Sequence, residues 1–122
     1  MKNTMKNSEK KELLLRTSFT WDNAKYENLE IKNPEVSVLK ITIDVGYSLP
    51  MHKHDLVNIA YVEKGTLTVI TEDNKQITVR QGQVLPELVG KYHYGKNIGD
   101  EPVVLVVFYV GEKGTPLSVL KE

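Results

Sequence analysis

The sequence predicts an all-β protein, and three observations carry that expectation. Its apolar residues fall in short runs rich in Val, Ile, Thr and Tyr. Gly, Pro, Asn and Asp separate those runs at intervals of about 8 to 12 residues, the spacing of a sandwich or barrel and not of alternating strands and helices. Beyond the opening segment no helical period stands out. A chain of 122 residues is long enough to bury a core as one domain.

In chain order, residues 1–12 are polar and charged and are expected as a flexible tail, with a single barrel domain over 13–122. Strands are predicted at "LLLRTSFTW" (13–21), "VSVLKITIDV" (36–45), "LVNIAYVE" (56–63), "TLTVIT" (66–71), "KQITVR" (75–80), "GQVLPELV" (82–89) and "PVVLVVFYV" (102–110). "TEDNK" (71–75) reads as a hairpin turn and "NIGDEP" (97–102) as a loop. The runs "LVNIAYV" and "VVLVVFYV" are apolar on both faces. One face can fill the barrel, and the other needs a second sheet or a second subunit, so a homodimer is expected.

Composition narrows the function classes. Lysine plus arginine equals aspartate plus glutamate, giving a formal net charge of zero, and no basic stripe interleaved with aromatics suggests nucleic acid as a partner. The absence of cysteine removes disulfides, thiolate ligands and a cysteine nucleophile. No apolar run is long enough for a signal-peptide core or a membrane span, so a cytoplasmic protein without a membrane partner is expected.

The chemistry concentrates in "GYSLPMHKHDLVNIAYVEKG", Gly46 to Gly65. Two of the chain's three histidines lie here with only Lys53 between them. In a strand, His52 and His54 point to the same side with Cβ atoms roughly 6 to 7 Å apart. Counting by twos adds Leu56, Asn58, Ala60 and Val62 to that face. His93 lies in another strand or turn, and in a closed barrel it can face the same wall. Three imidazoles with open positions suit Fe(II), Zn, Ni, Cu or Mn, and the ligand set alone does not choose among them. Gly65 and Gly82 stand where strands turn sharply, and Gly90 where the backbone needs an unusual angle before His93.

These residues keep a double spacing: Gly46, five residues, His52, one, His54, three, Asn58, six, Gly65; then Gly82, Gly90, His93 and Asn97. The pattern resembles the two signature motifs of the cupin superfamily, G-x5-H-x-H-x3-E-x6-G and G-x5-P-x-G-x2-H-x3-N, over roughly residues 36–110. The resemblance implies a double-stranded β-helix (jelly-roll) barrel in which His52, His54 and His93 bind one divalent transition metal. Two positions depart from the pattern. Asn58 stands where the family has its glutamate, and Leu88 where it has a proline, with Pro86 displaced. The "HxHxxxN" variant and the ending "FYVGEKGTP" are similar to small stand-alone cupins.

The family includes dioxygenases, isomerases, epimerases, lyases, decarboxylases and non-catalytic binders, and fold does not choose among them. The resemblance implies a metal-dependent protein acting on a small anionic or chelating molecule inside the barrel, with a dioxygenase-like reaction as the first reading. A binding module without turnover is the alternative, favoured by the missing glutamate. Asn58 is expected as a weak ligand or as a hydrogen-bond donor just outside the metal's coordination shell. Glu87, beside a proline in a loop, reads first as an exposed residue, and otherwise as a fourth ligand or a general base near His93. Tyr92 and Tyr94 flank His93 at the pocket mouth or pack on the rim, and Phe108 to Val110 is core or dimer surface.

Overall fold

Burial alternates residue by residue along the run Val103–Glu112. Val103, Leu105, Val107 and Tyr109 turn inward, as period-two side-chain geometry requires of a strand with one face on a core. The computed structural model describes residues 8–122. Its strands are β1 (Pro34–Ile43), β2 (His52–Lys53), β3 (Val57–Lys64), β4 (Thr66–Thr71), β5 (Gln76–Arg80), β6 (Val84–Pro86), β7 (His93–Lys96), β8 (Val103–Glu112) and β9 (Val119–Leu120). They form two antiparallel sheets, β1-β8-β3-β6 and β5-β4-β7-β2-β9. No helix occurs among the described residues, and so none is long and apolar enough to cross a membrane.

The core lies between the sheets. Ile43, Val62, Leu85, Val103, Leu105 and Val107 of the first sheet meet Leu67, Val69 and Val79 of the second. The loops match the expected turn chemistry. β4 and β5 are joined through 72–75, where Asn74 takes the left-handed backbone (φ 67) that Asn tolerates better than most residues. Asn97 closes the 97–102 loop: its Nδ2 donates to the carbonyls of Ile43 (3.0 Å) and Glu101 (2.8 Å), and its Oδ1 accepts from Gly99 N (3.0 Å). The motif asparagine is therefore structural. Its backbone also bonds Gly46 and Tyr47, tying the first motif to the second.

Three expectations are corrected. Residues 13–21 form no strand; the only ladder feature there is an isolated bridge, Phe19 to Lys25. Thr20, Asp22 and Asn23 instead close a turn, with Thr20 N donating to Ala24 O (2.8 Å), Ala24 N to Thr20 Oγ1 (3.1 Å), and Asn23 at φ 70. Side-chain acceptors at these positions compete with sheet pairing, and the turn won. Second, the strand expected over 82–89 shrinks to Val84–Pro86; past it the pairing with β3 continues only through Glu87 N, which donates to Asn58 O at 3.1 Å. Third, His52 and Asn58 do not share one regular strand: the chain passes from the second sheet to the first between β2 and β3. Residues 1–7 of the expected tail lie outside the described residues, and 8–12 are exposed without regular structure.

Gly65 and Gly82 make a matched pair of tests. Both sit at positive φ (84 and 86), where an alanine costs roughly 1–2 kcal/mol in backbone strain. A Cβ on Gly65 would also meet the Pro102 carbonyl oxygen at 2.7 Å, whereas one on Gly82 meets nothing within 4 Å. Gly65→Ala should therefore destabilise the fold by about 1–3 kcal/mol more than Gly82→Ala, the usual cost of overpacking. Urea unfolding of the two variants measures the difference, and equal midpoints would contradict it.

Candidate metal centre

β2 and β7 bring the motif histidines together, since His52 and His93 are directly paired across these strands. His54 follows at the exit from β2 and keeps the inward parity, with Leu56 and Asn58 buried behind it. The three rings form a nearly equilateral triangle, with centroids 4.9 Å (His52–His54), 4.7 Å (His52–His93) and 5.0 Å (His54–His93) apart. One ligand nitrogen from each lies within 4.8 Å of the others.

Hydrogen bonds decide which nitrogen that is. Each Nδ1 faces a backbone carbonyl: His52 that of Pro50 (2.7 Å), His54 that of Leu117 (2.8 Å) and His93 that of Lys91 (2.8 Å). A carbonyl only accepts, so each Nδ1 carries the proton and each Nε2 keeps its lone pair. Burial pushes the pKa of His54 and of His93 down to about 4, against the smaller upward effect of their carbonyl partners. At neutral pH both are uncharged imidazoles with fixed tautomers. His93 is 1% exposed and its Nε2 has no partner in the protein. A buried acceptor without a donor is costly, and a divalent cation at the triangle's centre would satisfy it. These residues fit a transition metal, and imidazole nitrogen suits several.

Asn58 and Glu87 complete the polar end of the chamber. Asn58 is 2% exposed and its Nδ2 has no hydrogen-bond partner. Glu87, expected first as an exposed loop residue, is instead buried, 7% exposed. Its backbone N–H still donates to Asn58 O (3.1 Å) past the end of β6, which turns its side chain inward. Glu87 Oε1 accepts from Trp21 Nε1 (2.8 Å) and Leu88 N (3.0 Å), while Oε2 stands 3.6 Å from His93 Nε2. Burial raises the carboxyl's pKa, against the hydrogen bonds from Trp21 and Leu88. The remaining wall is largely apolar, including Ile41, Leu49, Leu67, Val69 and Val107, around a cavity of about 60 Å³.

Three groups at the site were not read from the sequence. The Tyr109 ring lies 6.1 Å from that of His54, and its inward position follows from the alternation along β8. Trp21 and the Leu117 carbonyl carry no local signal, because both act across long sequence separations. Tyr92 and Tyr94 do not line the cavity. The Tyr92 ring instead lies beneath the ammonium groups of Lys53 and Lys121, 5.8 and 5.4 Å from its centroid.

The sequence model of the family described as Cupin domain matches residues 39–109. The DMSP lyase DddQ from Ruegeria pomeroyi DSS-3 has a TM-score of 0.62 at 20% identity, covering 70% of this chain and 43% of the lyase. An uncharacterized conserved protein with a double-stranded beta-helix domain from Klebsiella pneumoniae has a TM-score of 0.61 at 19% identity, covering 71% and 75%. An oxalate oxidase in complex with the substrate analogue glycolate has a TM-score of 0.58 at 27% identity, covering 70% and 45%. The chain thus spans less than half the length of the lyase and of the oxidase. The two-sheet barrel is a double-stranded β-helix. No curated protein matches the chain.

The depressed histidines make the metal-free protein acid-sensitive. The unfolded chain takes up protons near pH 6.5, whereas folded His54 and His93 resist protonation down to about 4. Their contribution is present above pH 6.5 and is lost as pH falls toward 4. The urea midpoint of protein held in chelator should drop between pH 7 and 4.5, and His93→Gln should flatten that slope. An unchanged slope in the variant would contradict the assignment.

Proposed function

The chain belongs to the cupin family, and on that footing we propose that it holds one divalent transition metal at His52, His54 and His93 and acts there on a small anionic or metal-chelating organic molecule. The observation that supports this most is the set of three imidazoles with Nδ1 tied to backbone carbonyls, leaving three Nε2 lone pairs for one ion. When bound, such an ion supplies Lewis acidity and stabilises charge developing on a ligand oxygen.

The chain's own residues provide the rest. Asn58 Nδ2 donates to a ligand oxygen, a role that a glutamate at that position could not fill while ionised. The apolar wall keeps water from the polar end and strengthens every interaction there. A water occupies about 10–15 Å³ of such space, so a cavity of about 60 Å³ suits a molecule of a few heavy atoms. Glycolate, bound by the similar oxalate oxidase, is of that size and charge. An oxygenase-like reaction is the first reading. Binding without turnover is the second, favoured by Asn58 at the position where the motif has glutamate.

Elemental analysis of untagged protein separates these readings: bound iron, copper or manganese supports oxygen chemistry, and zinc or no metal supports binding alone. His52→Ala, His54→Ala and His93→Ala should each lower metal affinity at least tenfold in a chelator competition, and affinities unchanged in all three would refute the site. In metal-loaded protein, Asn58→Ala should weaken glycolate or oxalate binding by about 1.5–3 kcal/mol, the value of a hydrogen bond to a charged group, as read by calorimetry.

We also propose that the protein is a homodimer. On the outer face of the first sheet, Val36 (75% exposed) and Val38 (59%) stand beside Val110 and Phe108 (48%) across the β1–β8 ladder. Among the described residues, the N-terminal segment packs on the β3–β6 side of that face, where Leu14, Leu15, Tyr26 and Leu29 line a groove with Val57, Ile59 and Val84. A second copy of the same patch would cover the remainder symmetrically. Light scattering at micromolar concentration should give twice the monomer mass, and Val38→Lys should lower it toward the monomer. A monomeric wild-type protein would refute the proposal.

A further inference from the structure

We propose that Glu87 supplies the metal's carboxylate ligand, entering the site from the strand opposite Asn58, the position where the family motif carries its glutamate. This inference rests on the metal reading above. β3 and β6 pair through Ile59 with Pro86, Ala60 with Leu85 and Tyr61 with Val84. Continuing that register by one residue sets Glu87 against Asn58, and Glu87 N donates to Asn58 O at 3.1 Å. Directly opposed residues of an antiparallel pair project from the same face. Moving a carboxylate from position 58 to 87 therefore keeps it on the same wall, displaced by about one interstrand spacing of 4.7–4.9 Å.

The two carboxylate oxygens have separate tasks. Oε1 accepts from Trp21 Nε1 and Leu88 N, which fixes the group, and Oε2 is left facing His93 Nε2 at 3.6 Å. Because His93 Nδ1 donates to Lys91 O, its Nε2 is bare. Two acceptors thus confront each other at a separation too long for a shared proton. Two donor atoms bound to one ion at about 2.1 Å, with an angle of about 90–120° between them, stand about 3.0–3.6 Å apart. Among the described residues no lysine or arginine pairs with Glu87; Lys91, the nearest in sequence, pairs with Asp22 and Asp73. A buried carboxylate without a cationic partner is unfavourable, and a metal shared with His93 supplies that partner.

Two of the residues that hold Glu87, Trp21 and Tyr26, lie outside the stretch matched by the family model. Trp21 N donates to Pro86 O (3.0 Å), Tyr26 Oη to Glu87 O (3.1 Å), and Lys91 Nζ to Asp22 Oδ2 (2.9 Å). Residues 20–26 therefore brace the backbone of Glu87, and through Lys91 they also brace the segment whose carbonyl orients His93. Trp21 is a positioning residue for the carboxylate.

The test is Zn(II) affinity at pH 7.5 by competition with a chromophoric chelator, together with the visible absorption of the Co(II)-loaded protein. Glu87→Gln keeps an oxygen to accept from Trp21 and Leu88, so the fold should survive, while affinity should fall at least tenfold and the Co(II) bands should shift. Trp21→Phe, which leaves the carboxylate in place but loosens it, should lose less affinity and shift the bands in the same direction. Asn58→Glu in the Glu87→Gln background should recover at least half of the lost affinity on a logarithmic scale. Wild-type and Glu87→Gln proteins that bind Zn(II) within twofold of each other with the same Co(II) spectrum would overturn this proposal and leave the three-histidine site standing. Failure of the wild-type protein to bind either ion would overturn both.

Discussion

Everything at the polar end of this barrel depends on three imidazole Nδ1–H groups donating to three backbone carbonyls. A free imidazole exchanges its proton between two nitrogens and rotates about two side-chain bonds. Here Pro50, Leu117 and Lys91 remove both freedoms at once. The remaining lone pairs converge without a conformational search, which is the advantage of a site organised before its ligand arrives. The arrangement also leaves the metal-free protein with an unmet buried acceptor at His93 Nε2 and an unmet buried donor at Asn58 Nδ2. Unmet polar groups of this kind reduce stability and are retained where a ligand satisfies them.

The carbonyls come from distant parts of the chain, and so the site depends on how the barrel closes. Pro50 and Lys91 precede their histidines by two residues each, a local geometry set by the turns entering β2 and β7. Leu117 lies 63 residues beyond His54 and reaches it because β9 pairs with β2 at the sheet edge. At the other end of the chain, residues 20–26 fold back on β6 and its exit loop. Segments on both sides of the 39–109 stretch therefore touch the first contacts of the site. Strands β1, β3, β4, β7 and β8 supply the walls, and the terminal segments set the orientation of individual groups.

The pairing of His52 and His54 was legible in the sequence because its signal is local: a spacing of two gives one face, and parity holds even though the chain changes sheets between β2 and β3, whereas His93, in another strand, joined them through the motif resemblance. The inward column of β8, Tyr109 included, was not legible, because that run is apolar on both faces and only packing chose the buried one. Glu87 was harder to read. A glutamate after proline near a loop looks exposed, and only the pairing of β6 with β3 puts it opposite Asn58 and under Trp21. Residues 13–21 misled for a related reason. Their composition suits a strand, but the only pairing formed there is Phe19 with Lys25 across the Thr20–Ala24 turn, and residues 13–17 join no ladder.

The sequence by itself determined the all-β class, the principal strand positions, the glycine turns and the shared face of His52 and His54, because each rests on a period of two or on local turn chemistry, and it joined His93 to them through the resemblance of the two motifs. Only the tertiary structure decided the tautomer of His54, the burial of Glu87 beside His93, and the bracing of that carboxylate by Trp21. These depend on contacts between residues such as Trp21 and Glu87, 66 positions apart, or His54 and Leu117. No local pattern encodes such a contact; it exists once two sheets have closed around a common core and brought the terminal segments against it.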